Sequence, residues 1–203
     1  MKYTVALFIL LFCGVAEGQN LPANPYKKEF NDAYVAYPDI PRGLLEAVAW
    51  TNTRFTHLQP DEDAETCTGM PQAYGVMGLY KDGKGYFYNV VADIASSTHI
   101  PEEELMRSPG ANILGFAKKT VRVRGMLHTE RKTLDLWVRV ASMFNGLPVQ
   151  TPTQKYANDL WIYEVASFLT SPEKAAFYGF PVWKIDMADL FGEENLKVLS
   201  SSH

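Results

Sequence analysis

Cysteine is almost missing: the 203 residues hold two, at positions 13 and 67. Cys13 lies inside an apolar N-terminal run, so beyond that run only Cys67 remains and no internal disulfide can close. This excludes a small scaffold stapled by disulfides. Histidine is nearly as scarce. The four, at 57, 99, 128 and 203, show no metal-ligand spacing, and the single remaining cysteine adds none, so no metal and no other cofactor is expected. Positive charge is not in excess: 19 Lys and Arg stand against 23 Asp and Glu, for a net charge of −4, which argues against wholesale nucleic-acid binding. A dinucleotide or phosphate loop, a serine nucleophile elbow and a His-Glu zinc motif are all lacking. So are internal repeats, low-complexity segments and any clear linker.

What is present begins with a leader. Lys2 supplies a positive start, Val5 to Val15 is nearly continuous apolar sequence, and Ala16-Glu17-Gly18 places small residues where a leader peptidase reads. The expected cut precedes Gln19. The apolar run is too short to anchor permanently in a bilayer, so no membrane span is expected. A lipoprotein leader using Cys13 is the rival reading, but Phe12 is bulky where a small residue belongs. Cleavage leaves 185 residues, enough for one domain with a real core and small for two. An exported domain of that size without a disulfide fits a periplasm or cell envelope. The expected organisation is a leader over 1–18, an extension over 19–37 that wraps the surface, a helical domain over 38–170, and a C-terminal helical extension of that domain over 171–203.

Hydrophobic periodicity predicts a mainly α fold of about seven helices. Pro41 suits a helix start, and Leu45, Val48, Asn52 and Phe55 follow at i, i+3, i+7 and i+10. Residues 56–72 break the rhythm with Asp61, Glu62, Asp63, Glu65 and Gly69, and read as a polar loop forming one lip of a cleft. A small hairpin fits near Val76–Tyr88. Phe87, Val90, Val91 and Ile94 give a further stripe. Thr98 or His99 is expected to cap the next helix, with Pro101 and three glutamates in its first turn. Further helices are predicted around Asn112–Lys119, through Trp137, Val140, Ala141 and Phe144, over Thr151–Leu169, and from Ser171-Pro172-Glu173. The basic stretch 118–139 reads first as solvated surface and second as a contact for an anionic glycan or envelope component. The tail from Ser200 is expected to fray.

Four segments, in order, carry a resemblance. Ile40-Pro41-Arg42-Gly43-Leu44-Leu45-Glu46-Ala47-Val48-Ala49 is similar to the opening helix of lytic transglycosylases of the soluble, goose-type lysozyme-like kind. Ala73-Tyr74-Gly75-Val76-Met77-Gly78-Leu79 is similar to their Gly-Leu-Met-Gln-Leu turn. Pro109-Gly110-Ala111-Asn112-Ile113-Leu114-Gly115 resembles Asp-Pro-x-x-Asn-Ile-x-x-Gly, and Ala141-Ser142-Met143-Phe144-Asn145-Gly146 resembles Ala-x-x-Tyr-Asn-Ala-Gly. The resemblance covers roughly residues 38–170 and implies a lysozyme-like helical domain working on peptidoglycan. Domains with the same departure described next resemble the front part of larger bacterial N-acetylmuramoyl-L-alanine amidases, whose zinc domain has no counterpart in this sequence.

The departures bear on mechanism. The family's Glu-Ser-x-Phe falls on Asn52-Thr53-Arg54-Phe55, so Asn52 stands where the resemblance implies a catalytic glutamate. The family glutamine falls on Gly78 and its tyrosine on Phe144. A carboxylic acid can protonate the glycosidic oxygen and then take a proton from the C6 hydroxyl; an amide has no proton to give near neutral pH. Glu46 lies six residues earlier, about 240° round the helix, and points elsewhere. Glu65, Asp63 and Glu164 are the candidate replacements. Asn52, Tyr74, Gly75, Met77, Asn145 and Tyr163 are the candidate ligand contacts. For Asn52 the alternative is a satisfied, partly buried amide, for Asn145-Gly146 a helix terminus, and for Met77 core packing. Trp50, Trp137, Trp161 and Tyr163 could stack on sugars or pack in the core. Cys67, in an acidic loop, has no base beside it in sequence.

The expected function is therefore binding of peptidoglycan or a related glycan in the envelope without cleavage, with an envelope enzyme or protein complex as a further possible partner. The alternatives are a muramidase or transglycosylase using an unusual carboxylate, and a structural or protein-interaction domain that keeps the fold. On the binding reading, exchanging Asn52 for glutamate would restore slight turnover.

Overall fold

The computed structural model describes residues 21–60, 71–81, 87–127 and 133–201. Its centre is the helix over Pro109–Met126. Ser108 caps it by accepting from the Ala111 N–H, and Pro109 occupies the first turn, where its missing N–H costs nothing. Ala111, Asn112, Ile113, Gly115, Phe116, Ala117, Lys119 and Thr120 are all buried, and Gly110, Leu114 and Lys118 form a narrow, partly exposed stripe. Such burial requires neighbours on most sides.

In chain order these are α1 (Lys27–Ala36), α2 (Leu44–Thr53), a hairpin of β1 (Gln72–Tyr74) and β2 (Leu79–Lys81), α3 (Val90–Thr98) and α4 (Glu102–Arg107). The central helix is α5, followed by α6 (Leu134–Ser142), α7 (Pro152–Thr170), α8 (Pro172–Tyr178), α9 (Met187–Phe191) and α10 (Glu193–Ser201). Helices α1, α3, α4 and α6 pack directly on α5, while α7 lies against α2 and α6. The hairpin is antiparallel, with Gln72 opposite Lys81, Ala73 opposite Tyr80 and Tyr74 opposite Leu79. Its closing turn, Gly75–Gly78, is pressed between the C-terminal end of α2 and the first turns of α5. No helix among the described residues is long and apolar enough to cross a membrane.

The mainly helical class holds, but the described residues form ten helices rather than about seven. Residues 19–38 do not merely wrap the surface: α1 lies there and buries Phe30, Ala33 and Tyr34. Three apolar anchors among prolines and asparagines are too few for periodicity to register. The α2 stripe stops short of Phe55, because Arg54 and Phe55 take φ of +52° and +62°. Phe55 nonetheless turns inward, its ring centroid 6.0 Å from that of Trp50 and 5.1 Å from that of Tyr178. Neither Thr98 nor His99 caps α4. His99 ends α3 in the left-handed conformation, and Pro101 directly precedes α4. The hairpin sits four residues earlier than its expected start. At the tail, Ser200 and Ser201 complete α10, whose Leu199 is fully buried.

Candidate functional site

The C-terminal turn of α2 presents Asn52 and Thr53 to the hairpin turn. The Asn52 amide Nδ2 donates to the Met77 carbonyl at 2.8 Å, and its Oδ1 accepts from the Trp161 indole N–H at 2.6 Å. The partners fix which way the amide faces, since a carbonyl can only accept and an indole N–H can only donate. Thr53 Oγ1 lies 2.8 Å from the Ala49 carbonyl and 2.7 Å from the Val76 carbonyl, which share its proton. From the other side Asn112, fully buried, accepts from the Met77 N–H at 2.7 Å. It also donates to the carbonyls of Leu105 at 2.8 Å and Tyr74 at 3.3 Å.

Two glycines make this approach possible. Gly75 has φ of +74°, and a Cβ there would sit 2.1–2.5 Å from the Asn112 side chain. At Gly78, with φ of +62°, a Cβ would lie 2.9 Å from that of Asn52. An L side chain at either position meets both backbone strain and a clash. Gly78 is therefore the residue that admits Asn52. The fourth segment joins at the far strand: the Tyr80 ring packs directly on Gly146. Asn145 next to it donates to Asn158 Oδ1 of α7 at 2.7 Å and accepts from the Leu147 N–H at 2.9 Å.

The sequence-derived candidates thus divide. Asn52, Tyr74, Gly75 and Met77 converge on one turn. Asn145 stands beside it and ties α6 to α7. Tyr163 does not join them: its ring pairs with Phe191 of α9 at 6.1 Å between centroids, and Trp161 is the α7 aromatic that meets Asn52. Glu164 lies where its charge acts on Lys174 of α8, whose ammonium is held below its ordinary range by burial while Glu164 pulls it up. Asp63, Glu65 and Cys67 lie outside the described residues. Glu46 points away, as the helical wheel requires, and accepts the Tyr34 phenol proton at 2.5 Å. Burial raises its carboxyl above the ordinary range, against the phenol, the Arg42 charge and nearby backbone N–H groups.

Trp50 is flanked by Arg54 at 4.8 Å and Lys174 at 5.2 Å from the ring centroid, and Trp137 by Arg124 at 5.8 Å. Among the described residues no group of three or more His, Cys, Asp or Glu could hold a metal ion.

The expectation of solvated surface for the basic stretch holds for Arg122 and Arg139, which are exposed, but not for Lys119, which is buried. Lys118 donates to the Thr98 carbonyl at 2.8 Å, Arg122 to the Ser97 carbonyl at 2.7 Å, and Lys119 pairs with Asp93 at 2.8 Å. Arg139 donates to the Leu190 carbonyl of α9 at 2.6 Å. These cations are ties between elements: Lys118, Arg122 and Arg139 reach carbonyls near helix ends, and Lys119 a carboxylate in the first turn of α3. Arg131 and Lys132 lie outside the described residues.

Comparison with protein-family models, with curated proteins and with solved structures found no match to this chain. The geometry of the turn is therefore the ground on which a function is argued. Sequence reading missed the pairing of Asn52 with Trp161, residues 109 positions apart, and the bracing role of Asn112. For Asn112 a signal existed, an asparagine amid the apolar first turns of a helix; for Trp161 there was none.

Proposed function

We propose that this chain is a lysozyme-like domain of the cell envelope that binds peptidoglycan or a related glycan and does not cleave it. One observation carries the reading. Of the four segments that resemble lytic transglycosylases, the second forms the hairpin turn between Tyr74 and Tyr80, and it is met there by the third, by the fourth and by Asn52-Thr53 at the end of the helix that the first opens. Asn52 and Thr53 reach its carbonyls, Asn112 its Met77 amide, and Gly146 its Tyr80 ring. Chance matches have no reason to meet around one turn.

The absence of cleavage follows from chemistry at the acid position. Asn52 carries no transferable proton near neutral pH, and both ends of its amide hold the fold together. The position that would act on a glycosidic bond has become a tie between α2, the hairpin and α7.

The test uses the chain from residue 19 and purified insoluble sacculi. The protein sediments with sacculi, and overnight digestion releases no soluble anhydro-muramyl products. Anhydro ends released by the unaltered protein would overturn the claim of no cleavage. Failure to sediment would overturn glycan binding and leave the structural-domain reading.

A further inference from the structure

Next to the Asn145–Asn158 contact lies a cavity of about 620 Å³, framed by the start of α3, the second half of α5 and the end of α6. Its walls are apolar, with Val90, Val123, Phe144 and Leu147 inside. At its mouth Met143 and Val149 are 58% and 54% exposed. The volume is that of a pocket for a small organic molecule, typically about 300–1,000 Å³.

The polar groups set into this apolar surface are the Lys119–Asp93 pair, the amides of Asn89 and Asn158, and the hydroxyls of Tyr88 and Ser142. Lys119 is 9% exposed, and its ammonium sits 2.8 Å from Asp93 Oδ1 and 5.5 Å from the centroid of the Phe144 ring. An ammonium offers three protons. Among the described residues Asp93 is the only hydrogen-bond acceptor of Lys119, and the Asp93 side chain is 52% exposed, so water competes for it. Asn158 and Asn89 also line the cavity, and each uses its carbonyl oxygen inside the protein, toward Asn145 and the Ala92 N–H. Their amide N–H groups are further donors beside the Lys119 ammonium.

We propose that this cavity binds a small amphipathic carboxylate. Its aliphatic or aryl body lies on the apolar walls, and Lys119 and Asn158 receive its carboxylate. A neutral apolar molecule would leave the buried ammonium with a half-exposed partner, and a cation would face it directly. The proposal goes beyond glycan binding and does not depend on it.

Calorimetric titration of the chain from residue 19 with decanoate, decanol and decyltrimethylammonium tests it. Decanoate binds saturably at one site, and decanol binds more weakly by about tenfold, the weight of one charge-assisted hydrogen bond. The ammonium probe does not bind. Lys119→Met abolishes the preference for decanoate over decanol. Because that residue is buried and its loss could unfold the chain, Val149→Glu at the exposed mouth serves as a second variant. It leaves the circular dichroism spectrum unchanged and weakens decanoate by about tenfold through like-charge repulsion. Absence of saturable decanoate binding, equal affinity for decanoate and decanol, or no effect of Val149→Glu would each overturn the proposal.

Discussion

Asn52 is held by one donor and one acceptor of fixed type, which makes asparagine the residue the site requires. An aspartate in its place would keep the acceptor for Trp161 and lose the donor for Met77, setting a carboxylate oxygen against a carbonyl 2.8 Å from the present Nδ2. Asn52→Asp is expected to cost about 2 kcal/mol, the usual penalty for an unpaired buried polar group, read as a lowered urea midpoint. Asn52→Glu adds a methylene where Gly78 already closes on the side chain, so loss of stability is its expected first effect rather than a gain of turnover. Glu46 gives a pH signature. Burial raises its carboxyl in the folded state above its unfolded value, so the folded chain binds that proton more tightly. Its contribution to stability is present in full below the ordinary carboxyl range and is lost as pH rises through the raised value. Glu46→Gln keeps an oxygen to accept the Tyr34 proton. It is expected to flatten that slope in urea unfolding measured across pH, and to be no less stable than the parent at neutral pH.

Among elements, the cationic ties from α5 explain how α3 is held. The last carbonyls of a helix lack internal partners and carry the negative end of its dipole. Lys118 and Arg122 reach two of them, on Thr98 and Ser97. Removing both in Lys118→Met with Arg122→Met is expected to cost about 1–2 kcal/mol. It should also speed amide exchange in the last turn of α3, with little change in α7; equal acceleration in both helices would deny these ties a local role. The legibility of elements followed their local signals. The helix from Thr151 and the Ser171-Pro172 start were readable because periodicity and cap chemistry act over a few residues, and the structure adds the Thr151–Gln154 capping box. Helices α1, α9 and α10 were not, because few apolar anchors fix them and the surface they meet is supplied by distant residues.

At the scale of the whole molecule, the tail belongs to the core. Leu199 is fully buried, and α10 rests on α7 and α9. Leu199→Ala is expected to cost about 3 kcal/mol through lost burial and the cavity left behind, lowering the thermal midpoint by several degrees. A change confined to fraying of the last turn would contradict this. The sequence by itself determined the mainly helical class, the placement of most helices between α2 and α8, and the absence of an acid at position 52. Each rests on local periodicity, on short-range cap chemistry or on residue identity, none of which needs a distant partner. Tertiary structure alone decided what Asn52 does. Its acceptor role depends on Trp161 and its donor role on Met77, and a chain cannot announce which of its indoles will arrive 109 residues later. The same holds for the basic stretch, where charge was visible and destination was not. A cation near a helix face reads as solvated until the carbonyls it meets are brought to it. The described residues contain no cysteine, and among them the fold is held by packing and by buried amide, hydroxyl and ammonium ties.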